Sequence, residues 1–220
     1  MPKLVCLISS LLAFAALSLP CTAQAGKVET LGPLTDGTVP APLRGVLDTK
    51  GYRILIGGST AAELWFRKDL APGLASQTTD VIYDRLAESN LVGVIHFPQA
   101  STDYRGQGVA AGFYALRYEL IPNDGNHLGA APSRDFLLMI PADADPGPDK
   151  TLKFQELVAL SRQVSRTKHP APLSLVASEG ESAPAVSKDD QDHYIFSAAL
   201  KLASGEQMPI AVVIKGTAQQ

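Results

Sequence analysis

The sequence predicts a mainly β protein, a two-sheet β-sandwich with a small β-barrel as the alternative, carrying one amphipathic helix. Three observations predict it. Short apolar runs recur at intervals of about 8 to 12 residues with turn residues between them, as in sandwich and barrel proteins. Within several runs apolar residues alternate at period two, the period of a strand. One stretch alone, about 151–165, changes to the helical period, and the strand–helix–strand alternation of a parallel sheet is missing.

The chain opens Met1-Pro2-Lys3, runs apolar from Leu4 to Leu19, and reaches Ala23-Gln24-Ala25. A basic start, a short apolar stretch and small residues at the cleavage positions describe a secretory signal peptide. The stretch is shorter than the roughly 20 apolar residues of a membrane span. Residues 1–25 are therefore expected to be removed, leaving a mature chain from Gly26 that is periplasmic or secreted. A lipoprotein reading of Cys21 is disfavoured by Pro20, because a small residue belongs beside such a cysteine. Both cysteines, Cys6 and Cys21, fall within 1–25, so the mature chain has no thiol chemistry.

One of the 19 basic residues and none of the 22 acidic ones lies in 1–25, which moves the net charge from −3 to −4. That balance argues against nucleic acid or an anionic membrane surface as partner. No transmembrane segment is expected in the mature chain. Its length suits one domain.

Residues 26–42 are rich in proline, glycine and threonine, and read as a flexible N-terminal arm or loose first edge strand. The single domain follows, over 43–220. Leu43 to Leu47, Tyr52 to Ile56 and Ala61 to Phe66 read as short strand-like runs, with Gly57-Gly58 as a hairpin turn. On the third run Ala62, Leu64 and Phe66 share one face, and Glu63, Trp65 and Arg67 the other. Val81 to Tyr83 reads as a short strand, and Leu91 to Phe97 as a β-branched one ending at Pro98.

The centre of the chain is a hairpin with a long loop. Its first strand begins at Gly112 and places Tyr114, Leu116, Tyr118 and Leu120 on an apolar face, with Arg117 and Glu119 on an expected wetter one. The second, Arg134 to Ile140, is apolar after Asp135, as a strand covered on both faces would be. Pro141 to Asp149 then breaks regular structure. Its aspartates 143, 145 and 149 space like calcium ligands, but proline and glycine interrupt them and no closing glutamate follows, so a solvated loop is expected. The helix over 151–165 places Phe154, Leu157, Val158, Leu160 and Val164 on one side and ends before His169-Pro170. Leu173 to Ala177, His193 to Leu200 and Met208 to Lys215 complete the strands, with a soft acidic loop over 178–190.

The hairpin loop gathers the densest set of polar groups: Asp124, Asn126 and His127, then Arg134 and Asp135 on the returning strand. Two readings compete. In one, these residues shape and brace the turn; in the other, they form a polar ligand or metal site. A zinc site needs three or four ligands, and His96, His169 and His193 join His127 only if folding brings them there. The metal therefore stays unknown. Gly57-Gly58-Ser59-Thr60-Ala61 resembles a degraded nucleophile elbow, but a strand rather than a helix follows it. Trp65, with Tyr104 from the glycine-rich loop over 101–108, is a candidate for stacking on a ring-shaped ligand. P-loop, dinucleotide-binding, CxxC and HExxH patterns are absent, so no cofactor is expected.

The segment from Gly112 to Pro141, with its G-x-Y-x-L-R-Y start, D-G-N-H-x-G loop and R-D-F-L-L return, resembles an uncharacterised family of exported bacterial β-rich proteins. The similarity extends through the helix to His169-Pro170-Ala171-Pro172. The resemblance implies export and the central hairpin, and brings no activity with it. The expectation is thus an exported, non-enzymatic binding module for a small polar ligand or an envelope protein. The alternative is a metal-dependent or hydrolytic enzyme centred on the 122–135 loop.

Overall fold

The computed structural model describes residues 25–73, 80–123, 131–178, 180 and 183–217. The leader-like residues 1–24 and the loop residues Asp124, Asn126 and His127 lie outside them.

In chain order the elements are β1 (Gly26–Leu31), α1 (Ala41–Val46), β2 (Gly51–Ile56), β3 (Ser59–Phe66), β4 (Leu91–Phe97), β5 (Ser101–Thr102), β6 (Gly108–Val109), β7 (Gly112–Leu120), β8 (Asp135–Pro141), α2 (Phe154–Ser165), β9 (Pro172–Val176), β10 (Ala185–Lys188), β11 (Tyr194–Lys201) and β12 (Gln207–Lys215). Ten strands join in one antiparallel sheet, in the order β1-β2-β3-β4-β7-β8-β9-β12-β11-β10. The sheet is nearly closed on itself. At the seam a Cβ added to Gly26 of β1 would lie 3.1 Å from Cγ1 of Val186 on β10. The expected division into two sheets is not supported, because the ladder runs unbroken from β1 to β10.

Alternation places one apolar set inside. Ile54, Leu64, Phe66, Ile95, Leu116, Leu137, Leu173, Phe196 and Val212 belong to a buried interior cluster, and Tyr52, Phe66 and Phe196 pack with ring centroids 5.5 to 6.4 Å apart. A second buried cluster lies on the opposite face of β3, β4, β7 and β8. There Trp65, Val94, Ala115, Phe136, Leu138 and Ile140 meet Leu43 and Leu47 from the α1 region and Leu157 and Val158 of α2. The central strands are therefore covered on both sides.

This second layer corrects several expectations. Leu43 to Leu47 is mostly helical because Pro42 at the helix start has its φ already set for a first turn. Arg117 and Glu119 do not face water: they are 0% and 1% exposed, and Arg117 is bonded to Asp145, Gly147 and Lys150 of the 142–152 segment. Asp145 is not solvated either, since its side chain pairs with that of Arg117 and both are wholly buried. Val81 to Tyr83 forms no strand, and the loops over 101–108 and 178–190 contain the short strands β5, β6 and β10.

Other expectations are met. Gly57 and Gly58, at φ +58 and +81, make the two-residue turn between β2 and β3. β7 and β8 pair from Tyr114↔Pro141 to Leu120↔Asp135. The helix starts three residues later than expected, at Phe154, where the Lys153 amide donates to the Glu156 carboxylate at 2.8 Å. It ends where Arg166 turns left-handed, at φ +53. Among the described residues no helix is long and apolar enough to cross a membrane.

Candidate functional site: a cleft beside the central hairpin

The described members of the predicted site serve as braces. The Arg134 Nε donates to the Ile121 carbonyl at 2.8 Å and its Nη1 reaches the Asp80 carboxylate at 3.0 Å, so the side chain ties together the two ends of the hairpin loop. Asp135 is 0% exposed, and its carboxylate accepts from the backbone amides of Ile82 and Tyr83, both at 2.9 Å, and from the Tyr118 hydroxyl at 2.7 Å. It anchors the 82–83 turn to the sheet, which leaves little of the carboxylate for a ligand. Burial, followed by the adjacent Asp135 carboxylate, pushes the Tyr118 hydroxyl pKa far up.

Trp65 is also corrected. It is 5% exposed, its indole donates to the Gly32 carbonyl at 2.9 Å, and its ring packs in the outer core. A ring with no open face cannot stack on a sugar. The Trp65 ring also lies so close to Gly51 that a Cβ there would come within 2.7 Å of three of its atoms.

The histidines do not converge. His96 stacks on Phe113, ring centroids 4.1 Å apart, with its Nδ1 3.0 Å from Glu63. The His193 Nδ1 lies 2.8 Å from Asp189, and its buried Nε2 has no hydrogen-bond partner among the described residues. Burial alone would raise the Asp189 pKa, but hydrogen bonds from the His193 backbone and ring and from the Gln191 amide outweigh it and hold the carboxyl low. His169 lies elsewhere, just after α2. Among the described residues no group of three or more His, Cys, Asp or Glu is placed to hold a metal. Ser59 opens β3 from the hairpin turn, without the strand-to-helix geometry of a nucleophile elbow.

What the topology does assemble is a cleft of about 400 Å³. Ile121 and Pro122 at the end of β7, Phe136 of β8, and Pro172 and Ser174 of β9 contribute from the sheet. Phe154 enters from the start of α2, His169 and Pro170 from its far end, and Ala131 from the hairpin loop. The remaining wall is the turn between β5 and β6, residues 103–107. The cleft is thus mostly apolar, with polar groups from the turn and from His169 and Ser174.

That turn is held firmly. One carboxylate oxygen of Asp103 accepts from the Arg105 amide at 3.0 Å and the Gln107 amide at 2.8 Å. The Asp103 amide donates to the Gln107 carbonyl at 2.9 Å, and Gly106 supplies the positive φ, +76, that closes the turn. Burial raises the Asp103 pKa, although the Gln107 and Arg105 amides and the Arg105 charge oppose the shift. Gly216 runs directly beneath: a Cβ there would collide with the Asp103 carbonyl oxygen and lie 2.6 Å from the Tyr104 Cα. Tyr104, at the cleft wall, rests against His193 with ring centroids 4.3 Å apart.

A pair of carboxyls lies close to the cleft along the sheet. Glu119 stands opposite Phe136 in the β7–β8 ladder. Burial, then a hydrogen bond shared with Glu88, pushes the Glu119 carboxyl up to about 8, against a weaker opposing bond from the Leu120 amide. The Leu120 amide donates to Glu119 at 3.1 Å. A single proton shared by the two carboxyls relieves their repulsion.

Among the described residues the His169 ring makes no hydrogen bond to a hydroxyl or carboxylate, and Asp103 is committed to its own turn. Activation of a nucleophile needs a base within hydrogen-bond reach of it. Of the sequence candidates, Tyr104 is at the cleft and Trp65 is not. The cleft itself was missed because its walls come from four distant stretches of the chain. In comparisons with known proteins, the chain matches no protein family, no curated protein and no solved structure.

Proposed function

We propose that this is an exported binding protein whose cleft beside the β7–β8 hairpin holds one small, largely apolar ligand. The observation that carries the reading is the cleft: its size lies within the usual range of small-molecule sites, about 300 to 1,000 Å³, and its lining is apolar with a few polar groups. The rigid 103–107 turn supports it, because a wall that is already ordered costs less entropy to close on a ligand. The ligand differs from the polar one that the sequence suggested, since Ile121, Phe136, Phe154 and three prolines dominate the walls.

We read the sheet as a barrel closing along β1 and β10, a reading supported by the approach of Gly26 to Val186. Its interior is filled by side chains, so the ligand belongs outside the barrel, between sheet and α2. The leader-like residues 1–25 and the family resemblance support export.

The test is a titration with the neutral apolar fluorophore N-phenyl-1-naphthylamine. Saturable binding at one site is expected. Ala131→Trp places a large ring in the cleft from a half-buried loop position, and is expected to weaken binding by at least about tenfold, or 1.4 kcal/mol. The melting midpoint should stay close to that of the parent. Absence of saturable binding, or equal affinity in the variant, would remove the proposal.

A further inference from the structure

Resting on that reading, we infer that the ligand is an anionic amphiphile, an apolar body with one carboxylate or similar acidic head, and that Arg105 receives the head. Arg105 sits in the 103–107 turn, lines the cleft and is exposed. Among the described residues it has no ion-pair partner. The one acid among the described lining residues is Asp103, which is buried beneath the turn and accepts two backbone amides. Asp103 acts electrostatically on Arg105, but its buried carboxyl is not presented to a ligand as Arg105 is.

His169 also lines the cleft and follows Arg166 and Lys168, both exposed and neither ion-paired among the described residues. Basic residues at a helix C-terminus are explained by the helix dipole. Arg105 lies on no helix, so that explanation does not extend to it. A guanidinium at the edge of an apolar cleft, with no ion-pair partner among the described residues, matches a planar acidic head bidentately. The prolines, Phe136 and Phe154 would take the apolar body.

The decisive comparison uses two fluorophores of similar shape on the purified protein: neutral N-phenyl-1-naphthylamine and anionic 1-anilinonaphthalene-8-sulfonate. The anionic probe is expected to bind about tenfold more tightly, in keeping with a charge-assisted contact at a partly exposed site. Arg105→Gln keeps the backbone amide that donates to Asp103, and should abolish this preference, lowering affinity for the anionic probe more than for the neutral one. Dodecanoate should displace the anionic probe, and dodecyltrimethylammonium should not. Equal affinities for the two probes, or a preference that survives Arg105→Gln, would overturn the inference and leave the binding site standing. Failure of both probes to bind would overturn the site and the inference together.

Discussion

Asp145→Ala is expected to destabilise the protein by about 3 to 5 kcal/mol, the usual cost of leaving a buried charge without its partner. The Arg117 guanidinium is 0% exposed and all five of its N–H donors are used. Nε and Nη2 donate to the Asp145 carboxylate at 2.6 and 2.8 Å, Nη1 to the carbonyls of Ser89 and Lys150, and Nη2 also to that of Gly147. Removing Asp145 leaves a cation in the outer core with nothing to balance it. At about 2 to 4 °C per kcal/mol for a domain of this size, the melting midpoint should fall by roughly 6 to 20 °C.

Arg117→Met should cost a similar amount, because it frees three carbonyls as well as the carboxylate. The double variant should cost less than the two losses added together, by roughly 2 kcal/mol, since the residues act as one unit. Strict additivity, or a variant that melts like the parent, would mean the pair does not hold the segment. The same pair positions the chain that leads into α2, and Phe154 at the start of α2 walls the cleft. Binding of the neutral fluorophore should therefore weaken in Asp145→Ala even where the protein remains folded.

Glu119→Gln is expected to flatten the dependence of stability on pH. In the folded protein the carboxyl titrates at about 8, against an ordinary value of 4.5. Between those values the native state holds a proton that the unfolded chain releases, so stability falls as pH rises from about 5 to 8. The loss is on the order of 3 kcal/mol. Asp103, also raised by burial, contributes with the same sign. Glu63 and Asp189 are held low and act oppositely: their contribution is present at neutral pH and is lost only as pH falls through their lowered folded values.

Glutamine reproduces the protonated carboxyl, so the variant should match the parent near pH 5 and exceed it at pH 8. Urea midpoints at pH 5, 6.5 and 8 measure this directly. Parallel pH profiles for parent and variant would show that Glu119 carries no such proton.

The strands were legible where the pattern is local. Gly57-Gly58 announces its turn because two successive positive φ angles suit glycine, and β7 and β8 announce themselves through alternation and apolar runs. Alternation tells which residues share a face, but not what covers that face. Arg117 and Glu119 were assigned correctly to the face opposite Leu116 and then misjudged as wet, and Trp65, opposite Leu64, reads as a candidate for stacking although it is buried. Trp65 is covered by the 31–34 stretch and Arg117 by 142–152, segments whose docking depends on long-range contacts such as Trp65 to Gly32 and Arg117 to Asp145. A bidentate partner 28 residues away leaves no mark on local periodicity. Arg134 and Asp135 drew attention as polar groups beside a loop, and that polarity is used to bond backbone.

The most direct test of the central claim is photo-crosslinking with a neutral apolar diazirine probe, followed by mapping of the labelled peptides. The account predicts saturable labelling within 103–107, 121–136, 154 and 169–174, the stretches that meet at the cleft, and its suppression in Ala131→Trp. Labelling confined to other surfaces, such as the depression near Lys50, Tyr52 and Lys201, or labelling that never saturates, would contradict it.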